Sequence, residues 1–380
     1  MATNAHGLAG QRPRIGLDLH VADGIFQGSR THCLELFSRV VALTTECDFF
    51  VLVADPQTLL SFSSSFALPH VTIVVMPKRP APFRLLWQLP QFARKYGISL
   101  LHVQYVAPPF LFCNTAVTIH DILFESHQEY FEKSFIFRSR LLVPYSAKRS
   151  SIVFTVSEYS RHAISETYSI PAQKIHTIPN GVDTERFFPG DIGGDAIAEL
   201  GLPRGGYYLS VGRLEPRKNH ATLLRAWAQI QAPRPPLVLV GQRHFQYSEV
   251  LDLIHTLHLE EDITVLEQVS DASLPAIYRN AKGFIYCSWA EGFGMPVLEA
   301  MASGIPVISS ASTALSEVCA DAALLVNPRD SQEIASTVLS LEVDLDLREK
   351  LIMRGLNRVR DFTWEHSAQV VRKAYLDMAD

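Results

Sequence analysis

Apolar residues fall along this chain in short, nearly continuous runs separated by amphipathic stretches. In the first half the runs lie at residues 14–19, 48–53, 71–75, 100–105, 116–119 and 151–156. They are rich in Val, Ile, Leu and Phe with little alternation, which predicts strands buried on both faces. The stretches between them, at 29–43, 83–96, 134–148 and 158–168, predict helices. The second half repeats the scheme. Strands are expected at 207–211, 237–240, 263–266, 283–287, 306–308 and 323–326, and helices at 221–231, 247–257, 273–280 and 296–303.

Strand–helix alternation implies parallel sheets with helices on both faces, so the fold class is α/β with two Rossmann-like domains. The join falls between Pro179-Asn180-Gly181 and Phe188-Pro189-Gly190, where Asn-Gly and Pro-Gly are turn signals. This divides the chain into 1–183 and 184–363, with a last amphipathic piece at 364–380. Ligands of such sheets bind beyond the carboxyl ends of the strands. Two facing domains therefore make a cleft, and chemistry should sit just after strands.

Length and composition fit this division. The chain has 380 residues, 47% hydrophobic and 19% charged, too many for one core and ordinary for two globular domains. The net charge of −5 gives no sign of a nucleic-acid partner. Five scattered cysteines (Cys33, Cys47, Cys113, Cys287 and Cys319) form no CxxC pair, which argues against a disulfide framework or zinc site. The polar start has no apolar signal core, and the most apolar region, 100–119, is broken by His102, Gln104, Pro108, Pro109 and Asn114. A cytoplasmic protein is expected, with peripheral contact to the inner face of the membrane left open.

Candidate chemistry concentrates after the strand at 283–287. Glu291 lies on the loop and Glu299 about one turn into the following helix. Gly292 and Gly294 let a ligand approach the backbone, Pro296 suits the first helical turn, and the free amides there favour a phosphate or sugar hydroxyl. Two carboxylates suit a sugar and a ribose, since each accepts hydrogen bonds from vicinal hydroxyls. The same residues also fit an ordinary strand–helix turn with Glu299 as a surface charge. Earlier, Gly212-Arg213-Leu214-Glu215-Pro216-Arg217-Lys218-Asn219 follows another strand. Its cations fit either a diphosphate site or a solvated loop.

Together these segments resemble the retaining glycosyltransferases of GT-B fold, family 4. The likeness rests on Glu291-Gly-Phe-Gly-Met-Pro-Val-Leu-Glu299, on Ala300-Met301-Ala302-Ser303-Gly304 after it, and on the Gly-Arg and Lys-Asn pairs before it. It implies that Glu291 contacts the donor sugar and Glu299 the ribose. The amides of Gly292, Phe293, Gly294 and Met295 would cradle sugar and phosphate. Gly212, Arg213 and Lys218 would hold the diphosphate as leaving group, in place of a metal, so no metal and no cofactor are expected. The backbone near Val269 would line the base. Across the cleft, the likeness places His120, and after it Asp121, near the donor's anomeric carbon, although Asp121 also fits an N-cap. Gly28 would lie in the loop that meets phosphate and acceptor. Ser157 reads as an N-cap. The 364–380 helix is expected to cross back to the first domain.

The segments at 84–90 and 101–105 and the His120 turn look most like bacterial mannosyltransferases of surface-polysaccharide synthesis. This favours GDP-mannose as donor, with UDP-glucose next, and a saccharide or lipid-linked saccharide as acceptor. The mixed aromatic and basic run at 131–140, with Lys148 and Arg149, fits either an anionic membrane or a domain helix with snorkelling cations. Two other readings share the fold: an inactive nucleotide-sugar-binding protein and a nucleotide-sugar epimerase.

Overall fold

The apolar runs pair as two all-parallel sheets. The computed structural model describes residues 12–23, 28–190, 193–203, 206–242 and 248–378. The first sheet holds β1 (Arg14–Asp18), β2 (Asp48–Val53), β3 (Val71–Val75), β4 (Leu100–Gln104), β5 (Asn114–Thr118), β6 (Ile152–Thr155) and β7 (Ile175–Thr177), in the order β3-β2-β1-β4-β5-β6-β7. The second holds β8 (Tyr207–Val211), β9 (Leu237–Val240), β10 (Ile263–Leu266), β11 (Ala281–Tyr286), β12 (Val307–Ser310) and β13 (Leu324–Val326), in the order β10-β9-β8-β11-β12-β13. The order reverses between β1 and β4 and again between β8 and β11. Ligand crevices of doubly wound sheets open at such switch points.

Helices cover both faces of each sheet. On the first, Gly28–Leu43 packs on one face through Leu34, Phe37 and Val41. Leu89–Tyr96 and Lys133–Arg149 cover the other. The helix expected at 83–96 holds a π turn at Arg84–Gln88, where the Leu89 N–H reaches back to the Arg84 carbonyl. Pro90 lies just beyond; it has no N–H to give and crowds the preceding turn, so the ladder widens there. Strand β7 was not among the expected strands, because three residues make too short a run to register.

The C-terminal helix, Trp364–Asp377, packs against Gly28–Leu43 of the first domain. Trp364, Ala368, Val371 and Tyr375 enter its core. The Tyr375 hydroxyl hydrogen-bonds His102 Nδ1, whose Nε2 meets Thr118 Oγ1 at 2.7 Å. The chain therefore crosses between domains twice, and the crossings touch. Val182 N–H donates to the Phe362 carbonyl at 3.3 Å, and Ser367 Oγ donates to the Pro179 carbonyl at 2.6 Å. Gly181 sits so close that a Cβ there would lie 2.4 Å from the Trp364 nitrogen. Among the described residues no helix is long and apolar enough to cross a membrane.

Candidate active site

Strand β11 is buried along most of its length and delivers a loop to the switch point of the second sheet. The loop is pinned from several sides. Ser310 Oγ donates to the Ser288 carbonyl at 2.6 Å, and Trp289 N–H donates to the Arg217 carbonyl at 2.9 Å. Thr313 Oγ1 accepts from Glu291 N–H at 2.9 Å. The neighbouring loop after β8 is locked to it by Asn219, whose buried amide donates to the carbonyls of Cys287 and Pro328 at 2.9 and 2.8 Å.

Between the two loops lies Glu291, buried and fully partnered. Oε1 accepts from Lys218 Nζ at 2.7 Å and from the Tyr286 hydroxyl at 3.1 Å. Oε2 accepts from Arg217 at 2.7 Å. Arg217 also donates to the Ala290 carbonyl and to Glu215. Burial alone would raise the Glu291 pKa, but Arg217 and then Lys218 outweigh it and bring it to about 2. The carboxylate is thus a permanent anion at neutral pH. Burial pulls the Lys218 ammonium below its ordinary pKa while Glu291 pulls the other way. The ammonium also sits 5.1 Å from the centre of the Tyr286 ring.

The first domain closes against this loop. Asp121 packs so tightly on Gly292 that a Cβ on the glycine would lie 2.6 Å from Oδ2. Asp121 Oδ1 accepts from Leu123 N–H at 3.1 Å, but Ile122, not Asp121, is the N-cap of the Leu123–Ser126 helix; the other oxygen of Asp121 faces the Gly292 loop. Burial raises the Asp121 pKa. His120 bonds Gln104 at 3.0 Å through Nε2 and stacks edge-on with His32, 4.6 Å between ring centres. Burial, then His32 and His102, hold His120 well below its ordinary pKa, so the ring is neutral. Gly28 lies opposite Met295, whose Cε would be 3.5 Å from an added Cβ.

The remaining expected residues, Gly28 apart, lie in the second domain. Glu299 is half-buried, accepts from the Tyr278 hydroxyl at 2.8 Å and has its pKa raised by burial. Gly294, at φ +113°, opens the Met295–Ala302 helix. Phe293 turns its ring into the core against Phe362. Gly212 packs on the Lys218 side chain. Val269 is half-buried after edge strand β10, on the core of the second domain. Arg213 is not brought to the carboxylate; its guanidinium is exposed at the rim, 3.9 Å from Glu215.

Three features escaped the sequence reading. Arg217 is the cation that joins Lys218 on Glu291, and its signal was present: it stands directly between Pro216 and Lys218 in the same loop. Ser157 is more than an N-cap. Its hydroxyl accepts from Ser160 N–H at 3.1 Å and donates across the cleft to the Gly292 carbonyl at 2.8 Å. Glu317 of the second domain accepts from the N–H groups of Glu158 and Tyr159, each at 2.9 Å, and so caps a helix of the first. Neither contact has a local pattern, since the partners lie more than 130 residues apart.

Comparison with known proteins agrees with the fold. The family described as Glycosyltransferase Family 4 matches residues 26–186, and Glycosyl transferases group 1 matches residues 197–358. O-antigen chain mannosyltransferase B of Escherichia coli is 31% identical over 299 residues, 77% of each chain. O-antigen chain mannosyltransferase RfbU of Salmonella typhimurium is 30% identical over 260 residues, 68% of each. Sucrose-phosphate synthase from Thermosynechococcus elongatus superposes with a TM-score of 0.77 at 22% identity, covering 97% of this chain and 99% of that one. Anabaena HepE in complex with UDP-glucose gives 0.76 at 19% identity, over 96% and 99%. These two show the shared GT-B architecture. With both family halves present on two facing parallel sheets, the chain belongs to the group 1 glycosyltransferases of family 4.

Proposed function

We propose that the protein is a retaining hexosyltransferase of surface-polysaccharide synthesis that uses GDP-mannose as donor. One observation carries the reading. An ionised, buried glutamate is held by two cations at the switch point of the second sheet, with the His120–Asp121 turn of the first domain closed against the adjoining glycine. The mannosyltransferase relatives support the sugar and the pathway.

In this reading Glu291 accepts hydrogen bonds from hydroxyls of the transferred sugar. Lys218 and Arg213 meet the diphosphate, and Arg217 positions Glu291 as Lys218 turns towards phosphate. Glu299 accepts from the ribose. An acceptor hydroxyl attacks the anomeric carbon from the face the diphosphate leaves. The bond between that carbon and the phosphate oxygen breaks, its electron pair stays on the diphosphate, and the hydroxyl proton passes to a diphosphate oxygen. Configuration is retained because attack and departure share one face. The chain's cations do the electrostatic work, so no metal or cofactor is required. Closure of the two domains excludes water.

The test is nucleotide release from GDP-mannose and UDP-glucose, with a saccharide acceptor and in the presence of EDTA. The expected result is turnover of GDP-mannose, an α-configured product, and loss of ~10²–10³ in kcat for Glu291→Gln. Turnover of UDP-glucose alone would reassign the donor. Donor binding without turnover would favour an inactive sugar-nucleotide-binding protein.

A further inference from the structure

The Lys133–Arg149 helix is apolar on two opposite faces. Its inward face, with Ile136, Val143 and Ala147, packs on the first sheet. Its outward face carries Phe137, Leu141 and Tyr145, spaced four apart and therefore in one line. Phe137 and Leu141 are 75% and 66% exposed. A second element beside the helix adds exposed aromatic side chains. The segment after β4 returns to β5 without a helix, and Ala107 N–H donates to Ser146 Oγ at 3.0 Å, which lays this segment beside the helix. It presents Phe110 and Phe112, 73% and 96% exposed.

The helix's own charges have one sign. The helix contains Lys133, Arg138, Arg140, Lys148 and Arg149 and no acid. Arg140 pairs with Glu125. Among the described residues the other four form no ion pair. A soluble helix normally keeps such a stripe inward, and contiguous apolar surface left outside marks an interaction site.

We propose that this face docks on an anionic lipid bilayer, with Phe112, Phe137 and Leu141 entering the acyl boundary and Arg138, Lys148 and Arg149 meeting the headgroups. Complementary charge selects this occupant. A second copy of the chain, joined face to face about a two-fold axis, would set each cation cluster against its own image. The proposal stands apart from the transferase reading, because the observable is vesicle binding.

The experiment is flotation of the full chain with phosphatidylglycerol/phosphatidylcholine vesicles and with phosphatidylcholine alone. Binding is expected on the anionic vesicles only, weakening as salt rises. Two paired variants, Phe137→Ser with Leu141→Ser and Lys148→Glu with Arg149→Glu, should each lower partitioning about ten-fold. Unchanged thermal unfolding would show that both remain folded. Failure of the unsubstituted chain to float, or equal flotation of chain and folded variants, overturns the proposal. So does a dimer in sedimentation velocity that the same substitutions dissolve, which would assign the face to self-association.

Discussion

Glu291 and Arg217 set the acid limit of the site. Replacing Arg217 by Ala removes the larger of the two cationic attractions that keep the carboxylate ionised, leaving burial opposed by Lys218 and the Tyr286 hydroxyl. The Glu291 pKa should then rise from about 2, so the acid limb of the kcat/KM profile moves to higher pH, while Arg217→Lys moves it less. An unshifted limb would remove the positioning role. Gly292→Ala tests the contact across the cleft. The new Cβ would stand 2.6 Å from Asp121 Oδ2 and 2.8 Å from its Cβ, so the domains cannot close as seen. A loss of at least ten-fold in kcat is expected, with little change in thermal unfolding. The Glu291–Glu299 spacing was readable because strand, loop and helix are consecutive. Arg217 was visible as a cation beside Lys218, but its contact with Glu291 was not readable, because it depends on how Asn219 locks one loop to another.

At the scale of elements, the Glu158–Tyr168 helix is capped twice, by Ser157 from its own chain segment and by Glu317 from the other domain. A carboxylate at a helix N-terminus contributes about 1 kcal/mol. This one does so only while the domains are together. Glu317→Gln should therefore enlarge the open population, seen as a greater radius of gyration by X-ray scattering and a higher KM for donor, with helix content unchanged. An identical scattering curve and KM would show that the cap is idle. The helix itself was legible from its amphipathic period and its Ser N-cap. The cap from Glu317 was invisible because nothing local distinguishes that glutamate from a solvated one. Strands were legible wherever both faces are buried. β5 starts earlier than its apolar run because Asn114 and Thr115 are polar and lie at the rim.

The whole molecule stores an acid sensitivity in its buried histidines, three in the first domain and His220 in the second, which burial lowers to about 4. Burial lowers His32 to about 4, with Asn180 opposing, and lowers His102 to about 3, with His32 adding to it; His120 is also held low. Each group is depressed in the folded state, so the neutral form is the one the fold favours. The stability this gives is present above the unfolded value near 6.5 and is lost as pH falls towards 4 and 3. For His32 it amounts to about 3 kcal/mol. Glu291, depressed from its ordinary 4.5 to about 2, adds a further loss as pH falls through 4.5 towards 2. The thermal midpoint should therefore fall steeply from pH 6.5 to pH 4, before most carboxylates titrate. A midpoint constant over that interval would contradict this.

The two touching crossings at Gly181–Val182 and Phe362–Trp364 act as a pair of pins. A single linker would let one domain spin on the other. Two segments hydrogen-bonded side by side leave rotation about one line and resist torsion, so opening follows a fixed arc and returns Gly292 to Ser157 and Asp121 each time. The same geometry forbids cutting the protein into halves. Residues 1–183 expressed alone would lay bare the surface that Trp364, Val371 and Tyr375 cover, and a peptide spanning the last helix should restore it.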